Sequence, residues 1–142
     1  MKEKEEKLQK LYLEFQVLSE QIKQLENQST ALNNQLIELI VTDQSLDDLK
    51  KTDKGAEILV PLSSGIYTKA ELKDNKNFIV NVGSNIALTK DLDATKILIK
   101  DQIDEIKKLQ ENLVNQLQLH TSKASAIEQE MNEIASTIKE NK

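Results

Sequence analysis

Starting at Leu8 and stepping alternately three and four residues, the chain gives Leu11, Phe15, Leu18, Ile22, Leu25, Ser29, Leu32, Leu36, Leu39, Asp43, Leu46 and Lys50. One of the two alternating positions is Leu six times out of six. Accidental amphipathicity does not hold a 3.5-residue period this long, so the pattern predicts a coiled-coil helix over residues 1–51. At 1.5 Å per residue it would run roughly 75 Å, far longer than a globular helix. The same steps from Leu92 give Lys96, Ile99, Ile103, Ile106, Gln110, Leu113, Leu117, His120, Ala124, Ile127, Met131, Ile134 and Ile138. A second coiled-coil helix is therefore predicted over residues 91–142, with Asp91 and Asp93 placed to cap its free amides. Neither arm contains Gly or Pro.

The first seam degrades toward its C-terminal end. Asp43 and Lys50 take inward positions there, while Ile37, Ile40 and Val41 fall off the seam and need another surface. Lys50 and Lys51 suit the negative end of the helix dipole, and Gly55 follows as a stop.

Between the arms, residues 52–90 switch to period two. Ile66, Thr68, Ala70 and Leu72 point one way and Tyr67, Lys69, Glu71 and Lys73 the other, predicting a half-buried strand. Asp74-Asn75-Lys76-Asn77 should reverse the chain into Phe78 to Val82, and Gly83-Ser84-Asn85 should turn it into Ile86 to Lys90. With Ile58 to Leu62 ahead of them, these make four short strands in two hairpins. Pro61 lacks a ladder donor, so the first strand should be interrupted or lie at an edge.

The predicted fold class is α+β: a long antiparallel coiled-coil hairpin with two β-hairpins between its helices. Folding back with partners summing to about 142 sets Leu8 on Ile134, Phe15 on Ile127, Ile22 on His120 and Leu32 on Gln110. Each match joins an a-type to a d-type position, though a slip of one heptad also satisfies the pattern. Four short strands leave unpaired edges, and apolar residues occur on both strand faces, with Ile79 opposite Phe78 and Val80. The chain is therefore expected to oligomerise, closing a barrel or sandwich through Ile58, Val60, Ile66, Leu72, Phe78, Ile79, Val80, Val82, Ile86 and Leu88. The helical hairpins would project outward, with both termini at their tips.

Composition agrees with a seam rather than a globular core: 142 residues, only 38% hydrophobic and 3% aromatic, but 30% charged. Each arm carries 7 Lys against 10 acidic residues, and all 19 basic residues are Lys. Without basic arms or the bidentate Arg fork, nucleic acid is not an expected partner. The absence of Cys removes disulfides, thiolate nucleophiles and zinc clusters. The opening MKEKEEKLQK lacks the apolar core of a secretory signal, and no apolar run is long enough to span a bilayer. An intracellular, cytoplasmic protein without membrane contact is expected.

No catalytic constellation emerges, and no metal or cofactor is expected. His120, the single His, lies on the seam without companions and reads as a polar register element. Asp101, Asp104 and Glu105, like Glu128, Glu130 and Glu133, read as a solvated face rather than catalytic pairs. Three scattered Gly offer no phosphate-cradling loop. A non-enzyme is predicted.

The segment LVPLSSGIYTKAELKDNKNFIVNVG, flanked by the two heptad arms, resembles the prefoldin family, in particular its α class of archaeal type. The likeness in wording is strongest over Leu59 to Leu62 with Ser64 and Gly65, then Lys69 to Asp74, then Val80 to Gly83. In that family the α class carries two β-hairpins between its helices and the β class one. The resemblance implies a hexamer of two α and four β-class subunits, joined by β-barrels. It further implies ATP-independent capture of unfolded proteins at the coiled-coil tips and delivery to a group II chaperonin. Carried onto this chain, the client-binding tip residues are Leu8, Leu11, Tyr12, Phe15, Ile127, Met131, Ile134 and Ile138. The competing reading is a structural spacer or tether, with a β dimerisation hinge and no client binding.

Overall fold

The computed structural model describes residues 2–140. In chain order it contains helix α1 (Lys2–Lys51), strands β1 (Glu57–Ser63), β2 (Ile66–Glu71), β3 (Asn77–Asn81) and β4 (Ala87–Asp91), and helix α2 (Leu92–Glu140). Two long helices with two antiparallel hairpins between them is the fold that the change of period predicts. By compactness the chain divides into two units, and the division cuts both helices. The described part of one covers residues 2–34 and 107–140, and the other covers residues 35–106.

In the first unit the two helical segments run antiparallel, because early residues of α1 meet late residues of α2. Leu11, Leu18, Ala124 and Ile127 form a buried cluster, with Phe15, Ile22, Met131 and Ile134 packed against it. Lys7 Nζ lies 3.1 Å from Glu130 Oε1 across the same pair. Both ends of that bridge are exposed, so it is worth at most about 1 kcal/mol, less than one buried aliphatic side chain. His120 is half-buried, and its Nδ1 lies 2.9 Å from the Gln116 carbonyl oxygen. A carbonyl oxygen can only accept, so Nδ1 carries the hydrogen of that bond.

Every inward position that the heptads assign is buried or half-buried in both helices, except Lys50. Lys50 is in the last turn of α1, where an ammonium gains from remaining in water near the free carbonyls.

In the second unit β1 pairs with β2 and β3 with β4, giving two separate two-stranded sheets. Ser64 and Gly65, at φ 50° and 77°, make the two-residue turn between β1 and β2. Two successive positive φ values match the right-handed strand twist that tight hairpins require. Pro61 stands opposite Tyr67, and the register shifts between Pro61 and Ser63, where the missing donor weakens the ladder. In the second hairpin Val82 N donates to Ile86 O and Ile86 N to Gly83 O, each at 3.0 Å.

Asp74–Asn77 links the two hairpins, and among the described residues no ladder joins β2 to β3. The Asp74 carboxylate accepts the amides of Lys76 at 2.8 Å and Asn77 at 3.1 Å, satisfying them locally. Two expectations are corrected in this unit, for Gly55 and for β2. Gly55 is not the helix stop, since α1 already ends at Lys51. Instead Gly55, at φ 88°, donates its amide to Leu72 O at 2.7 Å, in a bend that a side chain would strain. Nor is β2 half-buried: only Ala70 is partly covered, and the buried Leu72 lies beyond the strand.

Asp91 caps α2 as expected, accepting the Ala94 amide at 2.8 Å through Oδ1. Thr95, buried beside it, donates its hydroxyl to Asp91 O at 2.7 Å. Among the described residues no buried side-chain oxygen at the entry of α2 lacks a partner.

Candidate functional site

Two surfaces stand out, one in each unit. In the first unit the eight residues nominated from the sequence separate by exposure. Leu11 and Ile127 belong to the buried cluster; Leu11 reaches no ligand unless the seam opens, and Ile127 shows only as part of a groove floor. Leu8, Phe15, Met131, Ile134 and Ile138 are half-buried, offering an edge rather than a face. Tyr12 is the one nominated residue that is exposed, at 56%.

Two further residues, absent from that set, carry more of the surface. Leu13 and Val17 are 60% and 57% exposed and lie four apart on α1, so they stack on one helix face. They line an open groove with Glu14, Leu18, Gln21, Lys123 and Ile127. The groove pairs an aliphatic floor with a rim that holds one acid, one base and one amide, so it presents apolar area without a fixed polar pattern. Such a surface favours nonpolar chain without reading its sequence. The sequence signal was present: Leu13 and Val17 are aliphatic at heptad positions that coiled coils usually fill with charge.

In the second unit the registers decide which residues share a sheet face, because directly paired residues project to the same side. One face of the first hairpin carries Ile58, Val60, Ile66 and Ala70. One face of the second carries Phe78, Val80 and Leu88, and Val82 and Ile86, joined by a backbone hydrogen bond just past the strand ends, extend that hairpin. Val60, Ile66, Val82, Ile86 and Leu88 are exposed, while Ile58, Phe78 and Val80 are half-buried. Leu72 is buried within its own chain and supports this surface rather than forming it. Ile79 lies on the opposite face and is 81% exposed. The sequence reading missed Leu59 and Tyr67, which project with Pro61 from the other face of the first hairpin. Each hairpin thus leaves apolar area uncovered, and each two-stranded sheet leaves its outer edges unpaired.

Chemistry is sparse elsewhere. Among the described residues no group of His, Asp and Glu side chains is placed to hold a metal ion. Asp101, Asp104 and Glu105 are exposed, as a solvated face requires. No described helix is long and apolar enough to cross a membrane.

A family model described as "Prefoldin subunit" matches residues 18–137. The prefoldin subunit alpha of Methanococcus vannielii is 27% identical over 133 residues, covering 94% of this chain and 89% of its own length. That of Thermofilum pendens is 28% identical over 84% of this chain and 93% of its own. That of Pyrococcus horikoshii is 32% identical over 74% and 72%. Among solved structures, a filamentous PFD from Methanocaldococcus jannaschii superposes with a TM-score of 0.72 at 20% identity, covering 80% of this chain and 93% of that chain.

Proposed function

The chain belongs to the prefoldin family of chaperones, in its archaeal α-subunit type, and on that premise we propose that it is an ATP-independent holdase subunit. It assembles through the exposed hairpin faces with β-class subunits, in a hexamer of two α and four β. Its first unit holds unfolded proteins, which pass to a group II chaperonin in the cytoplasm.

The observation that carries this reading is the apolar set Tyr12, Leu13 and Val17, each more than half exposed on the part of α1 that belongs to the first unit. Moving one such side chain fully out of water is worth roughly 1.5–3 kcal/mol. Three together hold a nonpolar segment weakly, and repeated copies in an assembly hold it usefully. A spacer needs none of them, since the seam is complete without outward aliphatics.

The test is the triple variant Tyr12→Ser, Leu13→Ser, Val17→Ser, assayed by light scattering as an unfolded test protein is diluted from denaturant. Suppression of aggregation should fall severalfold while helix content and assembled mass stay unchanged. Full suppression by the variant would remove the client-binding reading and leave the tether.

A further inference from the structure

Lys96 occupies a seam position of α2 where an aliphatic residue is the ordinary choice, and it meets two carboxylates of α1. Its Nζ lies 2.7 Å from both oxygens of Asp47 and 3.8 Å from Asp43 Oδ1. All three groups belong to the second unit. Their side chains are 31%, 47% and 41% exposed, beside the buried Leu46 and Ile99. The hydrogen bond to Asp47 holds the ammonium above the ordinary lysine value, against partial desolvation and with help from the charge of Asp43.

One of the two alternating seam positions of α1 carries no register information. Leu recurs every seven residues from Leu11 to Leu46, so at those positions a slip of one heptad exchanges Leu for Leu. Lys96 is different. One heptad toward the N-terminus, Leu36 and Ile40 stand where Asp43 and Asp47 stand. One heptad toward the C-terminus, the place of Asp43 falls to Lys50, and α1 ends before the place of Asp47. The first slip lays an ammonium on aliphatic side chains, and the second sets it against like charge. Both are costly where water is partly excluded.

We propose that Lys96, clasped between Asp43 and Asp47, selects the antiparallel register of α1 against α2 by penalising both one-heptad slips. Its effect is on the choice among registers, since an ion pair this exposed adds little to stability. A polar group on an apolar seam is a known means of specifying register at some expense of stability.

The chain has no Cys, so a pair of introduced cysteines reports one register without background. In the register that Lys96 sets, position 36 faces position 106. Leu36→Cys with Ile106→Cys therefore marks the native alignment in the full-length chain. Leu36→Cys with Ile99→Cys marks the slip onto Leu36 and Ile40, and Leu46→Cys with Ile103→Cys marks the slip onto Lys50. Intrachain disulfide yield after mild oxidation, read by mass, is the measurement. With Lys96 present, only the native pair should close. Lys96→Met should shift yield toward the 36/99 pair, and Lys96→Asp toward the 46/103 pair, where the new carboxylate meets Lys50. Combining Lys96→Asp with Asp43→Lys and Asp47→Lys should return the yield to the native pair. Closure of the native pair alone in both single variants overturns the proposal and assigns the register to the hairpins. Should a single variant lose its helical circular dichroism, the charge swap decides: recovery of the native pair supports the proposal, and failure to recover it overturns it.

Discussion

Asp74 shows how one exposed side chain can define a connection. Its carboxylate accepts the backbone amides of Lys76 and Asn77 and the Asn77 side-chain amide, at 2.8, 3.1 and 3.2 Å. Those bonds, with the Lys76 amide first, hold its pKa below the ordinary aspartate value of 3.8. A depressed folded pKa means that the contribution is present above the ordinary value and disappears as pH falls through the lower, folded one. The carboxyl carbon of Asp74 in an NMR titration should therefore show a midpoint below those of other exposed aspartates. The amides of Lys76 and Asn77 should titrate with the same midpoint. Asp74→Asn should keep an acceptor oxygen and abolish that shared titration. A midpoint at or above the ordinary value would show that the amides are satisfied by water instead.

The hairpins make a different argument at the scale of elements, because each is a two-stranded sheet with an uncovered apolar face. An isolated hairpin of this size is marginal in water, so its stability has to come from packing on something else. Ile66 and Leu88 sit on the apolar faces of the first and second hairpins, both well exposed. Placing a carboxylate at both, as Ile66→Asp with Leu88→Asp, should reduce the sedimenting mass of the assembly toward that of single subunits while the helices persist. Unchanged mass would mean that these faces are not the joint. The helices themselves were legible in the sequence because a 3.5-residue period survives without knowledge of the partner helix. The four strands were legible because alternation and turn residues are local. What resisted reading depended on who covers whom. Leu11 and Tyr12 are neighbours in sequence, yet the first is core and the second surface. Leu13 and Val17 went unremarked because they belong to neither the seam nor a strand. Asp43 looked like a blemish in the seam, and only the distance to Lys96 makes it a partner.

For the whole molecule the proposed holdase role ties the two surfaces together, because a weak apolar groove would hold a client only when several copies act on it. Under that reading one copy, with Tyr12, Leu13 and Val17 outward, competes with water and with the client's own collapse and releases quickly. Joining copies makes each later contact intramolecular, raising avidity by about 10²–10⁴ without any new interaction. The carboxylate variant at Ile66 and Leu88 separates these effects, since it leaves Tyr12, Leu13 and Val17 untouched in the other unit. At equal chain concentration it should suppress aggregation far less than the assembled protein. The concentration needed for half suppression should rise about a hundredfold or more if the grooves act together. Physically tethering the separated subunits on a common scaffold should recover most of the loss. A variant that is demonstrably unassembled but suppresses aggregation as well as the parent would show that one groove suffices, and the hairpins would then need another purpose.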